Sequence, residues 1–452
     1  MTGVPLIIAF VAAVALMILL ISRLKVHPFL AIMGISLLLA IAAGIPLTEI
    51  PGVIGAGFSG TFTSIGIVII LGAFIGSVLE KTGAALKLAD MVIRLVGEKN
   101  PQLAIELMGW VVSIPVFCDS GFVILNPIRK ALVKRTGASS VAMTVCLSCG
   151  LYISHVFIPP TPGPIAAAQT LGAGDYLLLV IGIGVLCSVF PLIAGLVYAK
   201  YIGKKIRSAD ETVDNGEVVK TYEELKAEFG RLPGGWNAVA PLVVPILLMG
   251  LSSVSSMAGW TGWIADGLAF LGTPVMALAA GTVLAVIQLF TSGRQGEFYD
   301  MTNDTLKTVG PILFVTAAGG VLGKVISSSD MVNFITQHAN TLQAIGIFFP
   351  FLLAAVLKSA QGSSTVAITT TAGIVAPLLP VLGFTAPVDV ALVVMAIGAG
   401  AMTVSHANDS YFWVVTNFGE MKTEEGYRSH TLMTLVIGIA AMIEIFILSL
   451  IF

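Results

Sequence analysis

The stretch Lys358-Ser359-Ala360-Gln361-Gly362-Ser363-Ser364-Thr365 interrupts an apolar run that covers residues 345–379. Residues 346–357 have the length of a helical half-span, and residues 366–379 make another. Hydrocarbon cannot satisfy a broken backbone, so such an interruption belongs inside protein or beside a water-filled cavity. A short loop outside the membrane would also join two apolar helices. Small hydroxyls, a glutamine and the free amides of a half-helix start are what a carboxylate or hydroxylated solute needs, which favours a binding loop. Discontinuous segments paired across two halves of a chain point to transporter sites.

The chain around it is built for lipid. Of 452 residues, 56% are hydrophobic and 11% charged, against about 25% charged in a soluble domain; mean hydropathy is +0.98. The fold class expected is an all-α polytopic membrane protein. A net charge of −2 argues against nucleic acid as a partner. Residues 4–21 lack a basic leader and are followed by Arg23, Lys25 and another apolar run, so they read as a first transmembrane helix and not a signal peptide. The basic residues after it place the N-terminus outside and the first loop inside, with Arg129-Lys130, Lys134-Arg135 and Lys204-Lys205-Arg207 also cytoplasmic. The apolar runs sum to about 10–12 full spans plus re-entrant or broken pieces. Cys118, Cys146, Cys149 and Cys187 all lie in apolar runs and read as packing residues. No cofactor or metal is implied, and no nucleotide loop or zinc-protease motif is present.

The one long polar stretch, 203–235, divides the chain into a first transmembrane repeat (1–202), a cytoplasmic linker with an acidic helical piece at 222–226, and a second repeat (236–452). Features recur in order across that divide. The segment 72–79, with Gly72 and Gly76, resembles 319–326, with Gly319 and Gly323. The break at 115–121 (PVFCDSG) corresponds to 358–365, and the proline-rich break at 155–164 (HVFIPPTPGP) corresponds to 405–410 (SHANDS). Two structural repeats follow, and inverted topology is their usual form in secondary transporters. The glycine pairs taken alone also fit close helix packing.

Asp119, beside Ser120, is flanked by apolar segments, where a carboxylate costs about 2.5–3.5 kcal/mol. It reads as a proton carrier or solute acceptor, and equally as a cap on the helix expected at 121–132. His406 and Asp409 stand three apart at a break as a candidate proton relay, although Asp409 also suits a helix cap. His155 is as readily a satisfied buried histidine as a functional one. Lys358 is the cation nearest the hairpin tip. It has three candidate roles: pairing with a substrate carboxylate, pairing with Asp119, or snorkelling to an interface. Arg294-Gln295-Gly296-Glu297 reads as a solvated loop.

Residues 360–367 (AQGSSTVA) and 405–413 (SHANDSYFW), with 117–120 (FCDS) and 159–164 (PPTPGP), resemble the gluconate permease family across essentially the whole chain. The resemblance implies a proton-coupled symporter for gluconate or a related hydroxy acid, with inverted repeats, re-entrant hairpins and elevator motion. Two positions depart from that family's pattern, Lys358 for an arginine and Thr161 for a frequent histidine, and they keep a smaller hydroxy or amino acid open as substrate. The expected site follows as a hypothesis: Ser363, Ser364 and Thr365, with Gly362 and nearby amides, bind the anion; Gln361 and Asn408 read hydroxyls; Ser120 and Thr161 line the site. Asp119, with His406 or Asp409, carries the proton. A homodimer is expected by analogy with elevator carriers, in the inner membrane. The competing readings are a sodium-coupled carrier or antiporter of the same architecture and an intramembrane enzyme; no Ser/His or paired-carboxylate arrangement beyond the breaks supports the enzyme.

Overall fold

The computed structural model of the chain describes residues 4–97, 100–208, 232–330 and 346–452, and every regular element among them is helical. The first half holds α1 (Val4–Ser22), α2 (Pro28–Ala43), α3 (Ile50–Lys81), α4 (Ala84–Val96), α5 (Pro101–Val112), α6 (Cys118–Thr136), α7 (Ser140–Phe157), α8 (Pro162–Thr170), α9 (Leu177–Leu186) and α10 (Val189–Ile202). The second half holds α11 (Gly235–Met257), α12 (Trp263–Leu271), α13 (Pro274–Thr291), α14 (Phe298–Ser327), α15 (Phe348–Gln361), α16 (Ser364–Val375), α17 (Pro387–Met402), α18 (Ser410–Phe418) and α19 (Leu432–Ser449). The helical piece expected at 222–226 lies outside the described residues.

Among the described residues, eight stretches are long and apolar enough to cross a bilayer, or nine if the pair 66–81 and 84–96, bent by 77°, is one span. The apolar runs suggested more. Runs such as 260–271 and 388–404 fold as helices of 9 and 16 residues, which at 1.5 Å per residue reach only ~14 and ~24 Å of a ~30 Å core.

Which helices stand inside follows from burial. All eighteen residues of α7 are buried, as is α17 from Val390 to Met402. A helix apolar on every side needs neighbours on every side. Around them α2, α10, α11 and α13 leave Leu30, Val197, Leu247 and Ile287 exposed, as lipid-facing surfaces do. Both interior helices run into breaks, α7 after Phe157 and α17 after Met402.

The glycine pairs mark close backbone contact. A Cβ on Gly72 would stand 2.8 Å from the Pro160 carbonyl oxygen, and one on Gly76 2.1 Å from that of Pro115. On α14, a Cβ at Gly323 would meet the Gly373 oxygen at 2.4 Å. Thus α3 passes both first-half breaks with no room for a side chain. Arg129, inside the helix expected at 121–132, is fully buried in α6, bonded to Asn126 Oδ1 at 2.7 Å, to the Ser140 hydroxyl and to the Phe418 carbonyl at 3.4 Å. Lys130 beside it pairs with Glu420. Both cations tie α6 to the end of α18.

Candidate functional site

Four interruptions lie between helices, close to where the sequence placed them. In the first, α5 stops at Val112, Ser113 donates to the Val116 carbonyl at 2.9 Å, and α6 begins at Cys118. Asp119 therefore sits in the first turn of α6 and not in a loop ending at 121. It does not cap: the N-cap position is Phe117, which makes no side-chain bond. Asp119 Oδ1 is buried with no hydrogen-bond partner among the described residues. Ser120 faces Glu80 of α3.

In the second, the prolines end α7 after Phe157, and Thr161 turns its hydroxyl onto the Ile158 carbonyl at 2.7 Å before α8 starts. His155 belongs to the last turn of α7, with its ring 5.8 Å from Phe117 at the first break and its Nδ1 without a partner among the described residues.

In the third, α15 runs through Lys358 to Gln361 and is stopped by Gly362 at φ +92°, a left-handed conformation suited to glycine. Gly362 has a second reason to be glycine, since a Cβ there would lie 2.1 Å from the Asn408 carbonyl oxygen. Ser363 caps α16 by accepting from the Val366 amide at 3.3 Å, and Ser364 and Thr365 are buried in its first turn. The side chain of Gln361 lies outside what the structure describes. Further along α16, the hydroxyls of Thr370 and Thr371 are buried without partners among the described residues.

In the fourth, α17 ends at Met402 and Val404 adopts φ +59°. That is a strained choice for a β-branched residue, of a kind found where function dictates the backbone. The turn delivers the Ser405 amide to Thr434 Oγ1 at 2.9 Å. Asp409 caps α18 by accepting from the Tyr411 amide at 3.0 Å. It also holds Lys358 at 2.6 Å and Ser405 at 2.5 Å, both on Oδ2. His406 Nε2 and Asn408 Nδ2 converge on the Ser359 carbonyl at 3.1 and 2.8 Å.

The breaks meet. The first touches the second through Phe117 and His155, and the second touches α16 through Gly163, where a Cβ would be 2.9 Å from Ile368. The third locks onto the fourth at Ser359, Gly362 and Asn408. Phe122 of α6 lies 6.4 Å from Tyr411 of α18, and Asp119 is within electrostatic reach of both Asp409 and Lys358. The lysine is fully enclosed, paired with Asp409 and 6.0 Å from the Tyr152 ring. Of the partners the sequence offered it, then, neither Asp119 nor an interface is used. Among the described residues the side chains of His406 and Asp409 share no hydrogen bond; their link is the Asp409 amide to the His406 carbonyl at 2.8 Å. Thr161 and Ser120 reach their own backbone and α3, away from this junction.

His430 carries no such signal in the sequence. It is fully buried behind Ser405, its Nε2 at 3.0 Å from that hydroxyl and its Nδ1 at 3.0 Å from the Ser148 hydroxyl of α7. Along the chain it follows Arg428 at the polar edge of the last apolar run, and no local pattern separates it from a surface residue.

A helical chain with at least eight apolar spans, interrupted helices meeting in its interior and a buried ion pair at their junction is a multi-pass membrane transporter. Residues 4–451 match the family described as GntP family permease, and the chain belongs to that family. Among its relatives, the inner membrane permease YgbN of Escherichia coli is 33% identical over 97% of both chains. The high-affinity gluconate transporter of that organism is 30% identical, covering 99% of this chain and all of the relative. Its Gnt-II system L-idonate transporter is 29% identical over 98% of both. The fold is similar to that of the Alcanivorax borkumensis YdaH transporter, with TM-score 0.69 at 13% identity over 94% of this chain and 99% of that one. The protein is a multi-pass inner-membrane permease, not an enzyme.

Proposed function

We propose that this permease is a secondary symporter that takes up gluconate or a related small hydroxy carboxylate with protons. The observation that carries the reading is Lys358, a fully buried cation at the point where the third and fourth breaks lock together. An enclosed ammonium beside the N-terminal end of α16 is an environment for an anion. Ser363, Ser364, Thr365 and the amides after Gly362 would hold the carboxylate, with Asn408 and Gln361 on hydroxyls. Asp119, with His406 or Asp409, would carry the proton. Relatives named for gluconate and for L-idonate support a sugar acid as cargo. In this proposal the halves are inverted repeats, the breaks move together in an elevator motion, and the carrier works as a homodimer.

The test is uptake into proteoliposomes under an imposed pH gradient, with sodium replaced by choline in a parallel arm. A thermal-shift series with gluconate, L-idonate, glycerate, D-serine and dicarboxylates accompanies it, since a bound ligand stabilises the native state with the logarithm of its concentration. Gluconate accumulation driven by the pH gradient and indifferent to choline is expected. Asp119→Asn should lose uphill accumulation while keeping solute exchange; accumulation by that variant removes Asp119 from coupling. Sodium dependence, or stabilisation by D-serine alone, replaces the reading with a sodium-coupled or an amino-acid carrier.

A further inference from the structure

Behind the Lys358–Asp409 pair runs a buried chain of hydrogen bonds that the breaks alone do not account for. His430 lies in the π-helical turn Tyr427–Thr431 that leads into α19, and single π turns recur at functional sites. Both of its ring nitrogens are engaged, by Ser148 and by Ser405, each at 3.0 Å. Ser405 donates to Asp409 Oδ2 at 2.5 Å, the same oxygen that holds Lys358. An ionised carboxylate only accepts, so the Ser405 proton points at Asp409 and its oxygen is left to accept from His430. The neutral imidazole then carries its proton on Nε2 and accepts from Ser148 on Nδ1. Three elements distant in sequence are thereby aligned on one carboxylate oxygen.

We infer that His430 is a positioning residue for ion coupling. Acting through Ser405, it holds Asp409 ionised on Lys358 until a substrate carboxylate takes the lysine and Asp409 takes the proton. This rests on the symport of a hydroxy carboxylate proposed above. The exchange balances: Lys358 keeps its protons and swaps one carboxylate partner for another. Asp409 Oδ2 binds one proton from water on the outer side and releases it on the inner side. One carboxylate and one proton cross together, and no unpaired charge is left in the buried site, where an uncompensated carboxylate is costly. The other groups around the pair are Asp119 and Cys118 of α6, Tyr152 and His155 of α7, Tyr411 of α18, and His406 on Ser359. Among these six Asp119 is the only other carboxylate, and the symport reading expects Asp119→Asn to lose uphill accumulation, so the substrate-free thermal curve of that variant is what separates its titration from that of Asp409.

The variants are His430→Leu, which removes both ring contacts, His430→Gln, which keeps an amide donor, and Ser405→Ala, which deletes the intermediary. Two curves are measured across a pH series on the full-length protein: gluconate uptake into proteoliposomes, and the thermal midpoint in detergent without substrate. Without the His430 bond, Ser405 is free to accept from a protonated Asp409. His430→Leu and Ser405→Ala should therefore move both curves to higher pH, by about one unit for the loss of one charge-assisted hydrogen bond. His430→Gln should recover most of the shift, and gluconate exchange should survive in all three. Variants that exchange gluconate with unshifted curves overturn the inference, as does a shift that His430→Gln leaves in place. If His430→Leu does not fold, the Ser405→Ala curves decide between these outcomes. If the wild-type protein carries none of the acids, the symport reading fails by itself, and the substrate-free thermal curve still decides whether His430 acts on Asp409.

Discussion

Among the described residues Lys358 is ion-paired with Asp409, and Asp409 has three donors: the Lys358 ammonium, the Ser405 hydroxyl and the Tyr411 amide. Removing one member of a buried pair leaves the other uncompensated, which costs about 3–5 kcal/mol. Lys358→Met or Asp409→Asn alone should therefore lower the thermal midpoint sharply. The double variant, in which an asparagine at position 409 still suits the cap, should recover part of the loss. Equal destabilisation in single and double variants would mean that the pair does not couple. That these residues mattered could be read from the sequence, since charge in an apolar run demands a reason. Their partners could not. Arg129 shows the same limit, because its partners Ser140 and Phe418 are set by how α7 and α18 pack beside α6.

At the scale of elements, the breaks were legible because glycine and proline stop helices by local rules. Their edges were less so. Helix hydrogen bonding runs on through polar residues, so Lys358 and Asp119 lie inside helices although they sit at the ends of apolar runs. The glycines that let α3 and α15 approach other backbones give a direct test. Gly76→Ala drives a Cβ into the Pro115 carbonyl and Gly362→Ala into that of Asn408. Overpacking of this kind costs about 1–3 kcal/mol, with added strain at Gly362 from its positive φ. Both variants should unfold at lower temperature, and Gly362→Ala should also weaken gluconate stabilisation, while Gly296→Ala, with open space around it, should do neither.

At the scale of the molecule, the halves are interleaved: α3 lies along α14, α8 against α16, α7 against α17 and α10 against α19. Cutting the backbone within the polar stretch 203–235, at an inserted protease site, should therefore leave both halves co-migrating in size exclusion in detergent. Separation of the fragments would show that the chain connection, not packing, holds them together. Membrane class, the positions of the interruptions and the resemblance to gluconate permeases were all determined by the sequence, because hydropathy and helix-breaking are properties of neighbouring residues. Tertiary structure alone decided that Lys358 meets Asp409 across 51 positions and that Ser148 meets His430 across 282. Such pairings depend on which helix faces are pressed together, and an apolar run carries no record of its neighbour.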